Sequence, residues 1–276
     1  MRVVAVLGVA FAAGQVAETL RTPAQGAKLG AVAADTTALA MADVLPGLRG
    51  ITPVAATIDD PTAAGCVPRL DLAAAPLGMI DLTLNAPCNR GERIVIRHAG
   101  LSFTAQISPD GALNLQLPAL QPDALVAAYF EGAQVALAKV AVPDMTDHIR
   151  FAVQMGYPAQ FDLRAEADGR VDVGSYGRMA DISGRSIQPL GLGTVAQPML
   201  AQVYSYPAAD MAANLTVEVK ITPDTCGRTL PVETLLARGG RVTLTKLPVA
   251  VPLCGTSGDI LVLKNLLRDL TLAAPR

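Results

Sequence analysis

The chain has 276 residues with 22 Lys+Arg against 24 Asp+Glu, a formal net charge of -2, which argues against nucleic-acid binding driven by a cationic surface. Half of it is hydrophobic, at 51%, but much of that is alanine spread along the sequence, and after residue 20 no stretch reaches the roughly 20 apolar residues of a spanning helix. Trp is absent and aromatics make up 4%, so broad platforms for stacking sugars or bases have little raw material.

Met1-Arg2 precede an unbroken apolar run from Val3 to Ala13. The run is short for a membrane span and suits the apolar region of a secretory signal. Ala10-Phe11-Ala12 places small residues at the minus-three and minus-one positions for cleavage after Ala12. The rival readings are an inner-membrane anchor kept through Leu20, with Gln15 and Glu18 near its interfacial end, and a buried cytosolic helix. Residues 1–21 are read as a signal peptide or membrane anchor, with attachment through residues 1–20 in the second case. Residues 22–76 are rich in Ala, Thr, Pro, Gly and Asp, and Leu39, Met41, Val44 and Leu45 offer at most one turn of helix before Pro46. So little apolar surface does not offset ordering entropy of roughly 1 to 2 kcal/mol per residue. The expectation is a flexible tether, with a segment that folds on a partner as the alternative.

From Leu77 the pattern becomes alternating. Ile80, Leu82 and Leu84 form one row, Ile94 and Ile96 another, and Leu101, Phe103, Ala105 and Ile107 a third. Ser108-Pro109-Asp110-Gly111 then interrupts before Leu113, Leu115 and Leu117, which predicts a β-hairpin over 101–117. Val126, Ala128 and Phe130 lead through Glu131-Gly132 to Val135 and Leu137. About six strands at this spacing predict an immunoglobulin-like or transthyretin-like sandwich over 77–143.

A second β-rich domain is expected over 144–276. Ile149, Phe151, Val153 and Met155 alternate, Phe161, Leu163 and Ala165 follow, and Asp168-Gly169 turns toward Val171 and Val173. Gly174 to Pro198 reads as a long loop with weak strands. Strand pattern resumes at Leu200 to Tyr206, Leu215 to Ile221, Val242 to Leu247 and Ile260 to Leu263, the last of which equally suits the start of a short helix. The fold class is therefore all-β: two antiparallel sandwich-like domains after an export or anchor segment and a tether.

The four cysteines, Cys66, Cys88, Cys226 and Cys254, permit three pairings. Segregation by domain favours Cys66 with Cys88 and Cys226 with Cys254, closing loops that are each worth about 3 kcal/mol in a chain-entropy estimate. Unpaired buried thiols and a four-cysteine metal site are the other readings, and the close pairs usual for zinc are missing from the sequence. His98 and His148 are lone histidines at strand ends, and adjacent Asp147 and His148 point to opposite faces of a strand. Gly191-Leu192-Gly193 lacks the context of a phosphate loop, and Asp168-Gly169-Arg170-Val171-Asp172 lacks the ligands of a calcium loop. Asp59-Asp60 and Asp181 are isolated carboxylates. No catalytic residue, cofactor or metal is assigned.

Cys88-Asn89-Arg90-Gly91-Glu92-Arg93, His98-Ala99-Gly100-Leu101-Ser102-Phe103, Val203-Tyr204-Ser205-Tyr206-Pro207, Cys226-Gly227-Arg228 and Gly258-Asp259-Ile260-Leu261-Val262-Leu263-Lys264-Asn265-Leu266 carry a resemblance over roughly residues 70 to 273. Through them the chain resembles a family of uncharacterised exported bacterial proteins, some of whose members carry the name translocase. The resemblance implies export and two cysteine-bearing domains, and brings no active-site residue with it. The functional expectation is an exported cell-envelope protein, soluble in the periplasm or anchored to the inner membrane. Its role would be non-catalytic, binding another envelope protein or an envelope component and no nucleic acid. The alternatives are an accessory component of a membrane translocation system and, lower, an envelope hydrolase built on the Gly174 to Pro198 loop.

Overall fold

The computed structural model describes residues 66–174, 184–210, 213–255, 259–264 and 266. The export or anchor segment, the tether up to residue 65, Asp59-Asp60 and Asp181 lie outside the described residues, and Ile260–Leu263, which equally suited the start of a helix, is a strand. The described part is all-β, with antiparallel pairing throughout.

Seven strands build the first half: β1 (Arg69–Ala75), β2 (Met79–Asn85), β3 (Arg93–His98), β4 (Leu101–Gln106), β5 (Ala112–Pro118), β6 (Asp123–Tyr129) and β7 (Val135–Ala141). They form a three-stranded sheet in the order β1-β2-β5 and a four-stranded sheet in the order β4-β3-β6-β7. Two expectations are corrected here. Arg69–Ala75, assigned to the tether, is strand β1: Leu70 and Ala75 turn into the core and the strand pairs with β2 from Arg69↔Asn85 to Ala75↔Met79.

The hairpin over 101–117 does not form either. β4 pairs with β3 and β5 with β2, so the two strands lie in opposite sheets. Their apolar rows face each other across the core instead of sharing a sheet face, and Leu101, Phe103, Ile107 and Leu117 are all buried there. Ser108–Gly111 is an interlayer turn. The Ala86 N–H donates to the Gly111 carbonyl at 2.7 Å, and Gly111, at φ 82°, leaves no room for a Cβ, which would lie 2.6 Å from Pro87 Cα.

The second half comprises β8 (His148–Gly156), β9 (Phe161–Ala167), β10 (Arg170–Val173), β11 (Ser186–Leu190), β12 (Met199–Pro207), β13 (Asn214–Lys220), β14 (Thr229–Arg238), β15 (Arg241–Ala250) and β16 (Ile260–Leu263). A five-stranded sheet β11-β12-β8-β14-β15 packs on a four-stranded sheet β10-β9-β13-β16. β14 has no counterpart in the sequence reading, because Pro231 and the run Glu233 to Arg238 mask its alternation. Pro231 sits opposite Pro248 on β15, where the main chain does without its donor. β11 lies inside the stretch read as a long loop with weak strands.

β8 is buried on both faces for eight of its nine residues. Ile149, Phe151, Val153 and Met155 enter the core shared with β9 and β13. His148, Arg150, Ala152 and Gln154 point the other way, and Ala152 belongs to the core of the first half with Ala201, Val203, Leu235 and Ala237. The five-stranded sheet is thus a middle layer with a core on each side.

Two substitutions test this double burial. Phe151→Ala should lower the urea-derived unfolding free energy by about 3 to 5 kcal/mol. Ala152→Leu should cost about 1 to 3 kcal/mol through overpacking, whereas a solvent-facing alanine would accept leucine within about 0.5 kcal/mol.

Candidate functional site

The second face of the middle sheet is ranked by its register. Ser205, Arg150, Ala237 and Val242 lie side by side, then Val203, Ala152, Leu235 and Leu244, then Ala201, Gln154, Glu233 and Lys246. Alternation along β8 puts Arg150 and Gln154 two positions either side of Ala152, so the polar members of this row sit where a sequence reading expects solvent. Arg150 has 0% exposure. Its Nε donates to Ser205 Oγ at 3.1 Å, one Nη to the Ala119 carbonyl, and the other Nη to the Leu77 carbonyl at 2.6 Å. Burial lowers its pKa to about 10, partly offset by the charge of Asp144, so it stays cationic at neutral pH.

Asp144 stands in the 3-10 helix Pro143–Asp147 that joins β7 to β8. Its Oδ2 accepts the Gly78 N–H at 2.9 Å, and the His148 Nδ1 lies 3.3 Å from its main-chain oxygen. Gly78 has φ 68°, and a Cβ there would fall 2.7 Å from Met145 Cα and 2.8 Å from Arg150 Nη2. The β1–β2 turn therefore sits directly on the junction, which only glycine permits.

His98 is engaged on both ring nitrogens by main chain. Its Nε2 accepts the Leu120 N–H at 2.8 Å, which leaves the proton on Nδ1 to donate to the Leu125 carbonyl at 3.0 Å. Burial, with the nearby positive Arg150, holds its pKa below 6.5 against the opposing Leu125 bond. Neither nitrogen of the neutral ring is left to act on a substrate, so His98 straps the 119–125 segment that also feeds Arg150.

Two glutamines close exposed strand edges. Gln154 accepts from the Ser102 N–H at 2.8 Å and donates to the Gly100 carbonyl at 3.0 Å, imitating a peptide group along the edge of β4. Gln202 does the same for β9, accepting from the Leu163 N–H at 2.6 Å and donating to the Phe161 carbonyl at 3.2 Å. Thr104 Oγ1 and the Leu192 N–H, which donates to the Thr104 carbonyl at 2.9 Å, complete the seam along β4. Gly191-Leu192-Gly193 is accordingly an exposed loop tied to β4 through its main chain. None of Arg150, Gln154 or Gln202 stands out in the sequence, because a polar residue in an alternating strand reads as its wet face.

The cysteines pair as the sequence favours, Cys66 with Cys88 and Cys226 with Cys254. Two disulfides belong to an oxidising, exported environment. The Asp168-Gly169 turn forms between β9 and β10, and its carboxylate lies 3.5 Å from Arg185, which also meets Asp210 at 3.2 Å. Beneath them Tyr204 and Tyr206 stack at 5.6 Å between ring centroids. Burial pushes the Tyr206 phenol up to about 12 and raises that of Tyr204, so both stay protonated and un-nucleophilic at neutral pH. Among the described residues no cluster of three or more His, Cys, Asp or Glu could hold a metal ion, and no helix is long and apolar enough to cross a membrane.

The outward face of β3, β6 and β7 is different in kind. Val95, Tyr129 and Val135 form one cross-strand row, Arg97, Ala127 and Leu137 the next, and Leu125 with Lys139 a third. Leu125 is 55%, Leu137 61%, Val135 41% and Tyr129 38% exposed, and the Arg97 guanidinium lies 5.0 Å over the Tyr129 ring. Several large apolar side chains exposed together on one sheet face are a usual mark of an interaction surface.

The described residues form an all-β molecule with a hydrogen-bonded polar seam and an exposed apolar face on β3, β6 and β7. No family model and no curated protein matches the chain. Among solved structures, a purple acid phosphatase, PPD1, isolated from seeds of yellow lupin (Lupinus luteus), aligns at 12% identity with a TM-score of 0.22, over 69% of this chain. The chain spans 42% of that protein's length. A likeness this weak carries no functional argument.

Arg150→Met should destabilise the protein by about 3 to 5 kcal/mol, since it leaves the carbonyls of Leu77 and Ala119 and the Asp144 carboxylate without their buried cation. The His98 pKa is depressed on folding, so its contribution is complete above about pH 6.5 and is lost as the pH falls below the unfolded value toward the folded one. Urea unfolding followed from pH 8 to pH 5 should show this decline in the parent, and His98→Gln should remove that component of the slope.

Proposed function

We propose that this chain is an exported cell-envelope protein with a non-catalytic binding role, held together in the periplasm by its two disulfides. The observation that carries the reading is the contrast between interior and surface. The buried polar side chains of the seam, Arg150, His98, Gln154 and Gln202, are occupied by main-chain groups. Among the described residues the β3–β6–β7 sheet exposes a group of apolar side chains centred on Leu137. Stabilisation of a β framework by disulfides suits an oxidising compartment. The apolar run from Val3 to Ala13 and the resemblance to exported bacterial proteins support the same placement. The partner is expected to be a protein, because a flat sheet face offers shape and apolar contact instead of a pocket.

Two measurements test this. Protein recovered from the native envelope should resist alkylation until reduced and then take up label at all four cysteines; free thiols in freshly isolated protein would overturn export. A photo-reactive residue placed at Leu137 should give a discrete protein adduct in intact cells, and the same residue at Glu166, on an exposed part of β9, should give none. Equal labelling at both positions, or none at either, would overturn the binding role.

A further inference from the structure

We infer that the outer edge of β15 takes up an extended peptide as an added antiparallel strand, one whose C-terminal end is acidic. The site is separate from the face centred on Leu137 and goes beyond the binding role proposed above. β15 (Arg241–Ala250) ends the five-stranded sheet and pairs on one side only, with β14. Other edges of the described sheets are already met. Gln154 and Thr104 close β4, β1 packs against β7, and β5 meets β11 where Gln188 donates to the Gln116 carbonyl at 2.6 Å. β10 and β16 have only four residues each.

The turn sets which main-chain groups of β15 are free. Arg238 and Arg241 flank the loop Gly239-Gly240, whose φ values of 56° and 76° suit a type I′ hairpin. The closing pair of such a hairpin exchanges both main-chain hydrogen bonds, and bonded pairs alternate from there. Thr243, Thr245 and Leu247 therefore turn their N–H and C=O groups toward β14, while Val242, Leu244 and Lys246 turn theirs outward. Among the described residues no main-chain group meets that outward row. Pro248 shares the outward parity, so its missing donor leaves the β14 ladder intact and interrupts the donor row after Lys246. Alternating donors and acceptors at strand spacing are matched along their length by an extended backbone.

Charge selects the sequence of the added strand. Arg238 and Arg241 stand directly opposite each other at the start of this edge, both exposed, and among the described residues no carboxylate pairs with either. Like charges so placed are destabilising, and an anionic group beside them relieves the repulsion. Lys246, toward the other end, is already paired with Glu233 at 3.6 Å. An antiparallel strand on β15 brings its C-terminal end to Arg241, so acidic residues there are the matching chemistry. Leu244, 40% exposed, offers an apolar contact at the centre.

Amide exchange, read by NMR on the oxidised, full chain, tests the free edge first: Val242, Leu244 and Lys246 should exchange about tenfold or more faster than Thr243 and Thr245. A peptide of about eight residues, alternating threonine and valine and ending in two aspartates at a free carboxyl terminus, should slow those outward amides by about tenfold and leave Thr243 and Thr245 unchanged. The same peptide ending in two lysines should bind about tenfold or more weakly. Arg241→Glu should reverse that preference and raise the urea midpoint, because it removes the like-charge pair. Lys246→Pro takes away an outward donor without touching the β14 ladder and should weaken the acidic peptide by about tenfold. Outward amides as slow as the inward ones in the free protein, no protection by the acidic peptide, or equal binding of the two peptides overturns the inference. None of these outcomes bears on the adduct at Leu137, so the binding role of that face stands or falls separately.

Discussion

A buried guanidinium stands at the centre of the contacts that join the two halves of this molecule. Arg150 leaves the middle strand of the five-stranded sheet and ends on carbonyls of the β1–β2 turn and of the segment after β5. Taking a cation out of water is costly unless its donors are met, and here they are met by main-chain oxygens of the other half and by Ser205. Those carbonyls in turn would be orphaned without it. The groups on either side of the junction are therefore mutually dependent, and Asp144 and Gly78 are shaped around the same point.

That dependence explains the composition of the row behind it. Ala152, Ala201 and Ala237 keep the middle sheet close to β4, which lets Gln154 reach the β4 edge as a substitute strand. Edge strands are hazards when left open. Gln154 covers that of β4 and Gln202 the unpaired start of β9, while Lys246 and Pro248 guard the long edge of β15. Interior polarity in this protein is thus spent on closing edges and fixing the junction. The β3–β6–β7 face is of a different physical kind, with Leu125, Leu137, Val135 and Tyr129 exposed.

The all-β class, the cysteine partners and most strands of both halves were legible because period-two alternation and turn residues are local signals. Where the local signal was ambiguous the reading failed in ways the structure explains. The rows over 101–117 had the pattern of a hairpin, yet alternation reports only that one face is buried, and two strands facing each other across a core show the same pattern as two strands side by side. β1 was overlooked because its alanines carry little apolar weight, and β14 because Pro231 and the adjacent Leu235 and Leu236 break the alternation.

The sequence by itself determined the β class, the division of apolar residues along each strand and the separation of the cysteines into two pairs, since each follows from neighbours within a few tens of residues. Only the tertiary structure decided that the polar row of β8 is interior, that His98 and Arg150 serve main chain, and that the outward row of β6 and β7 stays uncovered. The physical reason is that a strand has two faces. Its sequence shows which residues share a face, but whether the second face meets water or another layer depends on a sheet that folds from a distant part of the chain.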